Sequence, residues 1–177
     1  MKKSELKFLN RSMMYVPNNG IVVEIGSWMG GSSEQLVKGI LKYLVYKVAF
    51  YCIDPFDEEY FKKTPGLQKK LKKYPVNVLE AFQERMKPYE EDYILLRDYS
   101  ENAVNIFRYD TIDFLFIDGN HDYEFIKKDI DLYWPKIKAG GVMCGHDYGK
   151  YGVKKAVDER FKTFTRFPAH SIWMVVK

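Results

Sequence analysis

A strand, a tight turn and a helix start follow one another in Ile21-Val22-Val23-Glu24-Ile25-Gly26-Ser27-Trp28-Met29-Gly30-Gly31-Ser32-Ser33-Glu34-Gln35. The aliphatic residues around Glu24 predict a buried strand, and the glycines after them predict a tight turn. Ser32 is expected to cap the following helix, with Gln35 reaching back. Such a unit places backbone N–H groups and a carboxylate at the carboxyl edge of a sheet, where open α/β sheets bind small ligands.

The spacing of the turn disfavours both common phosphate-binding loops. A dinucleotide loop requires Gly-x-Gly-x-x-Gly, but the bulky Trp28 stands two residues after Gly26. A P-loop requires Gly-x-x-x-x-Gly-Lys, and Gly26 and Gly31 fit that pattern. Ser32 nevertheless occupies the position of the phosphate-binding lysine. The sequence therefore predicts a ligand without a phosphate, or a turn of purely structural use.

The pattern that remains is Glu24-x-Gly26-x-x-x-Gly30. It resembles the first motif of the class I methyltransferases that use S-adenosylmethionine. That cofactor carries no phosphate, so the missing lysine is consistent with it.

Composition indicates an ordinary globular protein. The 177 residues are 46% hydrophobic and carry a net charge of +4, which is weak evidence for nucleic acid binding. Cys52 and Cys144 lie in apolar runs and predict core residues in a reducing compartment rather than a disulfide or thiolate metal site. No apolar run reaches the length of a membrane span. We expect one cytoplasmic domain over residues 1–177.

Strand and helix patterns alternate along the whole chain and predict an α/β fold. We expect a doubly wound, mostly parallel seven-stranded sheet of the Rossmann-like methyltransferase type, ending in an antiparallel edge hairpin. The predicted strands are 21–25, 48–53, 92–97, 112–117, 142–144, 164–167 and 172–176. The predicted helices are 4–14, 33–46, 76–86, 102–107, 123–134 and 153–164.

Two segments stand apart from this alternation. The N-terminal region, residues 1–19, contains the opening helix, which we expect to cover the ligand site or the sheet edge. Residues 58–75 form a lysine-rich insertion around Pro65-Gly66. It is either a solvated surface or a lid that attracts an anionic substrate.

Two aspartates follow the second and third predicted strands. The position of Asp54 suits a carboxylate that accepts hydrogen bonds from ribose hydroxyls. The alternative is that Asp54 is a turn residue at the end of the strand, before Pro55. Asp98 could accept a hydrogen bond from an adenine amino group, with Tyr99 or Ser100 beside it. It could equally cap the helix that follows.

A second group of polar residues follows the fourth and fifth predicted strands. Asp118 and the pair His146-Asp147 should lie on neighbouring strands, about 4.8 Å apart, and so converge on one ion or one substrate hydroxyl. A divalent cation there would lower the pKa of an acceptor hydroxyl and orient it for methyl transfer. Without metal, His121 or His146 could act as the general base.

A more specific resemblance rests on four segments. They are Phe116-Ile117-Asp118-Gly119-Asn120-His121-Asp122-Tyr123-Glu124, Leu132-Tyr133-Trp134-Pro135-Lys136-Ile137-Lys138-Ala139-Gly140-Gly141, Gly145-His146-Asp147-Tyr148 and Gly152-Val153-Lys154-Lys155-Ala156-Val157-Asp158. They resemble the macrolide and aminocoumarin sugar O-methyltransferases and, more remotely, catechol and caffeoyl-coenzyme A O-methyltransferases. The similarity covers residues 20–177 apart from the lysine-rich insertion.

This resemblance implies roles for individual residues. The cofactor positions are Glu24, Gly26, Ser27, Gly30 and Asp54, with Asp98 at the adenine. We also expect Trp28, Tyr99 and Asp118 to contact the cofactor. The implied metal residues are Asp118, His146 and Asp147, for Mg²⁺ or Mn²⁺, and the catalytic candidates are Asp118, His121 and His146. Those relatives carry Asp-Asp or Asp-Asn at the position of His146-Asp147, and a nitrogen ligand is less typical of Mg²⁺, so a metal requirement stays open.

The leading functional prediction is therefore O-methylation of a small-molecule or carbohydrate acceptor by S-adenosylmethionine. A non-catalytic module that binds the adenosyl cofactor is the alternative from another class. A methyltransferase acting on nucleic acid bases is disfavoured, because Asp118-Gly119-Asn120-His121 is not the Asp/Asn-Pro-Pro-Tyr/Phe expected there. A nicotinamide-dependent dehydrogenase is disfavoured by Trp28. The sequence contains no readable code for the acceptor or the oligomeric state, and it predicts no membrane partner.

Overall fold

A computed structural model describes residues 1–44, 47–64, 68–69, 71–72, 77–167 and 170–177. Within these ranges, seven strands form one sheet in the order β3-β2-β1-β4-β5-β7-β6. The strands are β1 Ile21–Ile25, β2 Ala49–Ile53, β3 Ile94–Leu96, β4 Ile112–Ile117, β5 Ile137–Gly145, β6 Thr165–Arg166 and β7 Trp173–Val176. The strands from β3 to β5 pair in parallel, and β7 runs antiparallel to β5 and β6. The predicted fold class, with its C-terminal edge hairpin, is confirmed.

Helices cover both faces of this sheet. They are α1 Lys3–Ser12, α2 Gly31–Tyr43, α3 Glu58–Lys63, α4 Val78–Met86, α5 Ser100–Ala103, α6 Tyr123–Tyr133 and α7 Tyr151–Arg160. Leu115 and Ile117 of β4 pack in a core with α6 and α7, whereas Phe114 and Phe116 pack in a second core with α1, α2 and α4. All six residues of β4 are buried, because a central parallel strand has a helical layer on each side.

The start of α2 differs from the prediction. The helix begins at Gly31, its N-cap is Gly30 with φ 74°, and no side chain caps it. Because the left-handed backbone of Gly30 turns the chain directly into the helix, Ser32 already lies in the first turn. The predicted capping box of Ser32 and Gln35 is therefore wrong.

The fifth strand is longer than predicted. Lys138 to Gly141 was expected to turn the chain before residue 142, but β5 already begins at Ile137. Its pairing with β4 shifts register between Ile112 and Phe114. Gly140 has φ 78°, and a Cβ on Gly141 would lie 3.0 Å from the carbonyl oxygen of Ile112. The two glycines therefore bend the strand instead of ending it.

Several predicted segments extend beyond the described residues. These are the end of the second predicted helix at 45–46, part of the lysine-rich insertion, at 65–67, 70 and 73–75, the first residue of the third predicted helix, at 76, and part of the hairpin connection, at 168–169. Among the helices that the described ranges contain, none is both long and apolar enough to cross a membrane.

The N-terminal helix α1 packs on α2 and reaches the carboxyl edge of the sheet. The Asn10 side chain donates a hydrogen bond to the carbonyl oxygen of Gln35 in α2 at 3.2 Å. A Cβ on Gly39 would lie 2.3 Å from the carbonyl oxygen of Asn10, so the two helices approach at a glycine. At its other end, Glu5 accepts a hydrogen bond from the backbone N–H of Ser171, just before β7, at 2.9 Å.

Candidate active site

The glycine turn between β1 and α2 lies against the ends of both neighbouring strands. The backbone N–H of Gly26 donates to the carbonyl oxygen of Ile53, at the end of β2, at 2.8 Å. Gly26 has φ 88°, and a Cβ there would lie 2.5 Å from the carbonyl oxygen of Asp118, just beyond β4. Only glycine fits this backbone conformation and this close approach. The turn thereby brings the two predicted groups of site residues into contact.

Glu24 is a fully buried carboxylate directly beneath this turn. Its Oε2 accepts hydrogen bonds from the hydroxyls of Ser27, at 3.0 Å, and Ser33. Its Oε1 has no hydrogen-bond partner among the residues that the structure describes. Burial raises the pKa of Glu24 to about 7, against the lowering effect of hydroxyl groups from Ser32, Ser33 and Ser27. Ser33 was not among the predicted site residues, because sequence spacing alone does not show that the helix start folds back over Glu24.

Asp54 fastens the turn to the end of β2. Its Oδ2 accepts the backbone N–H of Trp28, and its Oδ1 accepts that of Phe56, each at 2.8 Å. The side chain is buried, and burial raises its pKa although both backbone hydrogen bonds lower it. Each carboxylate oxygen keeps a second lone pair. Asp54 therefore has a structural role that does not prevent the predicted ribose contact.

Trp28 lies within the turn and connects it to α3. Its ring meets that of the buried Phe61 edge to face, with ring centroids 4.7 Å apart. The described start of the lysine-rich insertion is therefore packed against the glycine turn.

Asp98 and Tyr99 follow the end of β3, and Tyr99 lines a groove of about 460 Å³ together with Phe56 and Arg97. Oδ1 of Asp98 accepts hydrogen bonds from the Tyr99 backbone N–H at 2.7 Å and from the Asn102 side chain at 2.8 Å. The Tyr99 hydroxyl donates to Asp57 at 2.7 Å. Asp98 thus bonds to the Asn102 side chain in α5 without capping the helix, because the N-cap is Tyr99 and no side chain caps it. The predicted helix-cap alternative is therefore wrong, and Tyr99 lines the groove.

The second predicted group also assembles. Nδ1 of His146 lies 3.5 Å from Oδ1 of Asp118 and 3.3 Å from Oδ1 of Asp147. Nε2 of His121 lies 2.5 Å from Oδ2 of Asp147 and 3.8 Å from Oδ1 of Asp118. All four residues therefore form one cluster at the ends of β4 and β5.

The carboxylates of this cluster favour the charged form of both imidazoles. Burial alone would lower the pKa of His146, but Asp118 and Asp147 outweigh it and raise that pKa to about 10. The same carboxylates raise the pKa of His121 against the effect of burial. For Asp147, burial is outweighed by His121, His146 and Lys150, so its pKa falls well below the ordinary range. Nζ of Lys150 lies 2.8 Å from Oδ2 of Asp147.

The group that could hold a metal ion differs in one member from the predicted set. Asp118, His121 and Asp147 can each offer one ligand atom, and these atoms lie within 4.8 Å of one another. His121 thus takes the place of His146, whose Nε2 is directed at Glu5 instead. Two carboxylates and one imidazole are a donor set that suits Mn²⁺ or another first-row transition ion better than Mg²⁺.

Glu5 is the cluster residue that the sequence prediction missed. Its Oε2 lies 3.2 Å from Nε2 of His146, and the residue is 1% exposed. Burial would raise its pKa, but backbone hydrogen bonds from Ser171 and Lys2 and the charge of His146 lower it below the ordinary value. The one available signal was its position one helical turn before Leu9, on the buried face of α1.

Comparison with known proteins identifies relatives. A family model described as "Methyltransferase domain" matches residues 23–148. Uncharacterized protein R132 of Acanthamoeba polyphaga mimivirus is 26% identical over 129 residues, which are 73% of this chain and 52% of that protein. The chain thus spans about half the length of this curated relative.

Three solved structures share the fold. The O-methyltransferase NovP is 20% identical, with a TM-score of 0.69 over 98% of this chain and 80% of that one. An O-methyltransferase from Bacillus cereus in complex with SAH is 14% identical, with a TM-score of 0.67 over 100% and 82%. CalS11, a TDP-rhamnose 3'-O-methyltransferase of calicheamicin biosynthesis, is 16% identical, with a TM-score of 0.64 over 98% and 77%.

Proposed function

The chain belongs to the methyltransferase domain family, and from this premise we propose that it transfers a methyl group from S-adenosylmethionine to an oxygen atom of a small-molecule or carbohydrate acceptor. One observation carries the proposal. The backbone of Asp118 packs on Gly26, so the predicted cofactor turn and the carboxylate–imidazole cluster meet at one edge of the sheet. An acceptor bound at the cluster would lie beside a cofactor bound at the turn.

The residues around the turn fit the adenosyl cofactor. Glu24 offers a buried oxygen, Oε1, without a hydrogen-bond partner in the described part of the chain, and Gly26 keeps its position free of a side chain. We assign Asp54 to bind the ribose hydroxyls and the groove beside Tyr99 to bind the adenine. Asp98 supports the wall of that groove. S-adenosylmethionine supplies an electrophilic methyl group on a sulfonium, and two solved relatives in fold are O-methyltransferases named with SAH or a TDP-sugar.

We assign different roles to the two imidazoles of the cluster, His146 and His121, from their protonation and exposure. His146 has a pKa of about 10 and is an imidazolium at neutral pH, so its role is to stabilise negative charge on the acceptor oxygen rather than to act as a base. His121 is the more exposed imidazole, with 32% of its side chain accessible against 11% for His146. We therefore assign the neutral form of His121 to accept the hydroxyl proton and release it to solvent.

The alternative use of the cluster is to hold a divalent cation with Asp118, His121 and Asp147. Such an ion would supply Lewis acidity that lowers the pKa of the acceptor hydroxyl. His121 would then be a ligand, and a carboxylate oxygen would accept the proton.

A cytoplasmic location fits this proposal. Both cysteines, Cys52 and Cys144, are free and buried, as expected for a protein of a reducing compartment.

The test combines binding and turnover. Calorimetry with S-adenosylmethionine and S-adenosylhomocysteine should show binding of both, and NAD should not bind. Production of S-adenosylhomocysteine is then measured with a panel of phenols, sugars, nucleotide sugars and, for contrast, RNA and DNA oligonucleotides. Turnover with a hydroxylated small molecule supports the proposal. Binding without turnover on any acceptor would support a non-catalytic module instead, and turnover on oligonucleotides alone would reassign the acceptor.

A further inference from the structure

We propose that Glu5 of the N-terminal helix is a positioning residue that fixes the imidazole of His146 with its Nδ1 facing Asp118 and Asp147. This inference rests on the proposed methyl transfer at the same cluster. By this proposal, α1 contributes a positioning residue to the active site, although it precedes the cofactor motif in the chain.

The Glu5 carboxylate is held from two separate parts of the chain. The backbone N–H of Lys2 donates to its Oε2 at 2.5 Å, and that of Ser171 donates to its Oε1 at 2.9 Å. Lys2 lies at the start of α1 and Ser171 just before β7, so each oxygen is fixed by a different element. A carboxylate that is 1% exposed and bonded at both oxygens has little freedom to rotate.

The His146 ring lies between this carboxylate and the cluster. Its Nε2 is 3.2 Å from Oε2 of Glu5, and its Nδ1 is 3.5 Å from Asp118 and 3.3 Å from Asp147. Since the two ring nitrogens point to different sides of an imidazole, carboxylates on both sides define the ring orientation. The contact of Nε2 with Glu5 is an ion pair and not a hydrogen bond, since Nε2 has no hydrogen-bond partner among the described residues. Without Glu5, the imidazolium would lose the negative charge that faces Nε2, and the ring would be free to turn away from Asp118.

The packing of α1 sets the position of Glu5. Leu9 and Met13 follow on the same side of the helix and are completely buried in the core between α1 and α2. The packing of α1 on α2 therefore sets the position of the Glu5 carboxylate beside the His146 ring. The structure offers Ser12 as a matched control, because its hydroxyl bonds, within the described part of the chain, only to the Phe8 carbonyl oxygen of its own helix, at 2.9 Å.

The first experiment is spectroscopic and needs no acceptor. Ring ¹⁵N and ¹H signals of the three histidines are assigned in the full chain by single substitutions and compared among wild type, Glu5→Gln, Glu5→Asp and Ser12→Ala. We expect the Nε2 and Nδ1 signals of His146 to shift and broaden in Glu5→Gln, to return toward wild type in Glu5→Asp, and to stay unchanged in Ser12→Ala. His146 signals in Glu5→Gln that match wild type would overturn the proposal. If Glu5→Gln does not fold, the wild-type spectrum decides, because an Nε2 proton of His146 without the downfield shift expected beside a carboxylate would overturn the proposal.

The second experiment uses turnover. With the acceptor found above, Glu5→Gln should lower kcat about tenfold or more while the affinity for S-adenosylhomocysteine stays within about twofold. If Glu5 acts through His146, then Glu5→Gln combined with His146→Asn should be no slower than His146→Asn alone. Additive losses, or an equal loss in Ser12→Ala, would show a merely structural effect. Absence of S-adenosylhomocysteine binding and turnover in wild type contradicts the proposed function, whereas the histidine signals test the positioning role separately.

Discussion

Oδ2 of Asp54 accepts a hydrogen bond from the backbone N–H of Trp28 at 2.8 Å, which joins the end of β2 to the turn after β1. Oδ1 of the same carboxylate accepts the N–H of Phe56. Trp28 and Phe56 have φ values of 49° and 50°, a left-handed conformation that side chains other than glycine, asparagine and aspartate rarely adopt. One buried carboxylate thus stabilises two strained residues at the edge where the cofactor is proposed to bind.

Replacing Asp54 by asparagine should therefore lower both stability and cofactor affinity. An amide has a single oxygen acceptor, so one of the two backbone donors loses its partner, at a cost of about 1–3 kcal/mol in the free energy of unfolding. Denaturant unfolding and calorimetry with S-adenosylhomocysteine measure the two effects, and we expect the affinity to fall about tenfold or more. The control is Asp131→Asn on the exposed face of α6, which should change neither. Lost stability with unchanged affinity would remove the ribose assignment.

Gly26 offers a comparison with a matched glycine five residues later. In Gly26→Ala, a Cβ would meet Asp118 backbone atoms at 2.5 Å and 2.6 Å at a φ of 88°, so the turn must move. We expect a loss of at least about 2 kcal/mol in the free energy of unfolding and no measurable binding of S-adenosylhomocysteine. In Gly31→Ala the Cβ has no atom within 4 Å, and alanine favours the helix, so stability should stay or rise by up to about 1 kcal/mol. Equal behaviour of the two variants would contradict a close approach at Gly26.

The fold was predictable from the sequence because its signals are local. An apolar run such as residues 114–117 is buried on both faces only in a central strand, and the alternation with amphipathic helices leaves few topologies. In the same way, the predicted ends of the strands were enough to place Asp54, Asp118 and Asp147 at one edge of the sheet. The extent of β5 was not predictable, because Gly140 and Gly141 read equally well as a turn or as a bend within a strand.

Parts of the site that depend on long-range packing were not predictable. Glu5 and His146 are 141 positions apart, and no local pattern distinguishes a buried glutamate in α1 from the charged residues around it. The exchange of His146 for His121 in the potential metal set has a similar cause. The loop after Asp118 folds back toward Asp147, and residue spacing does not specify that direction.

The raised pKa of Glu24 predicts how the free energy of unfolding depends on pH. Burial raises its pKa in the folded chain from 4.5 to about 7, so the folded state holds this proton more tightly than the unfolded state does. The resulting contribution is complete below the unfolded pKa and is lost as the pH rises through about 7, on the order of 3 kcal/mol. The difference in unfolding free energy between wild type and Glu24→Gln, measured from pH 4.5 to 8 by denaturant titration, should therefore move in favour of the variant. A flat difference would show that the buried carboxylate has an ordinary pKa.

The last prediction concerns the metal set and the place of His121 in it. Because one imidazole joins two carboxylates, Mn²⁺ should bind more tightly than Mg²⁺ in calorimetric titrations, and chelator should reverse the binding. The ion must displace the proton of His121, whose pKa lies above its ordinary value, so the affinity for Mn²⁺ should rise with pH up to that pKa and level off above it. His121→Gln should weaken Mn²⁺ binding about tenfold or more and remove this pH dependence. His170→Gln is the matched control, since His170 packs against Phe8 and Phe167, and it should bind Mn²⁺ as wild type does. Equal affinity for the two ions, or Mn²⁺ binding that His121→Gln leaves intact, would contradict His121 as a metal ligand. Absence of binding for both ions would instead assign the cluster to metal-free catalysis by its own imidazoles.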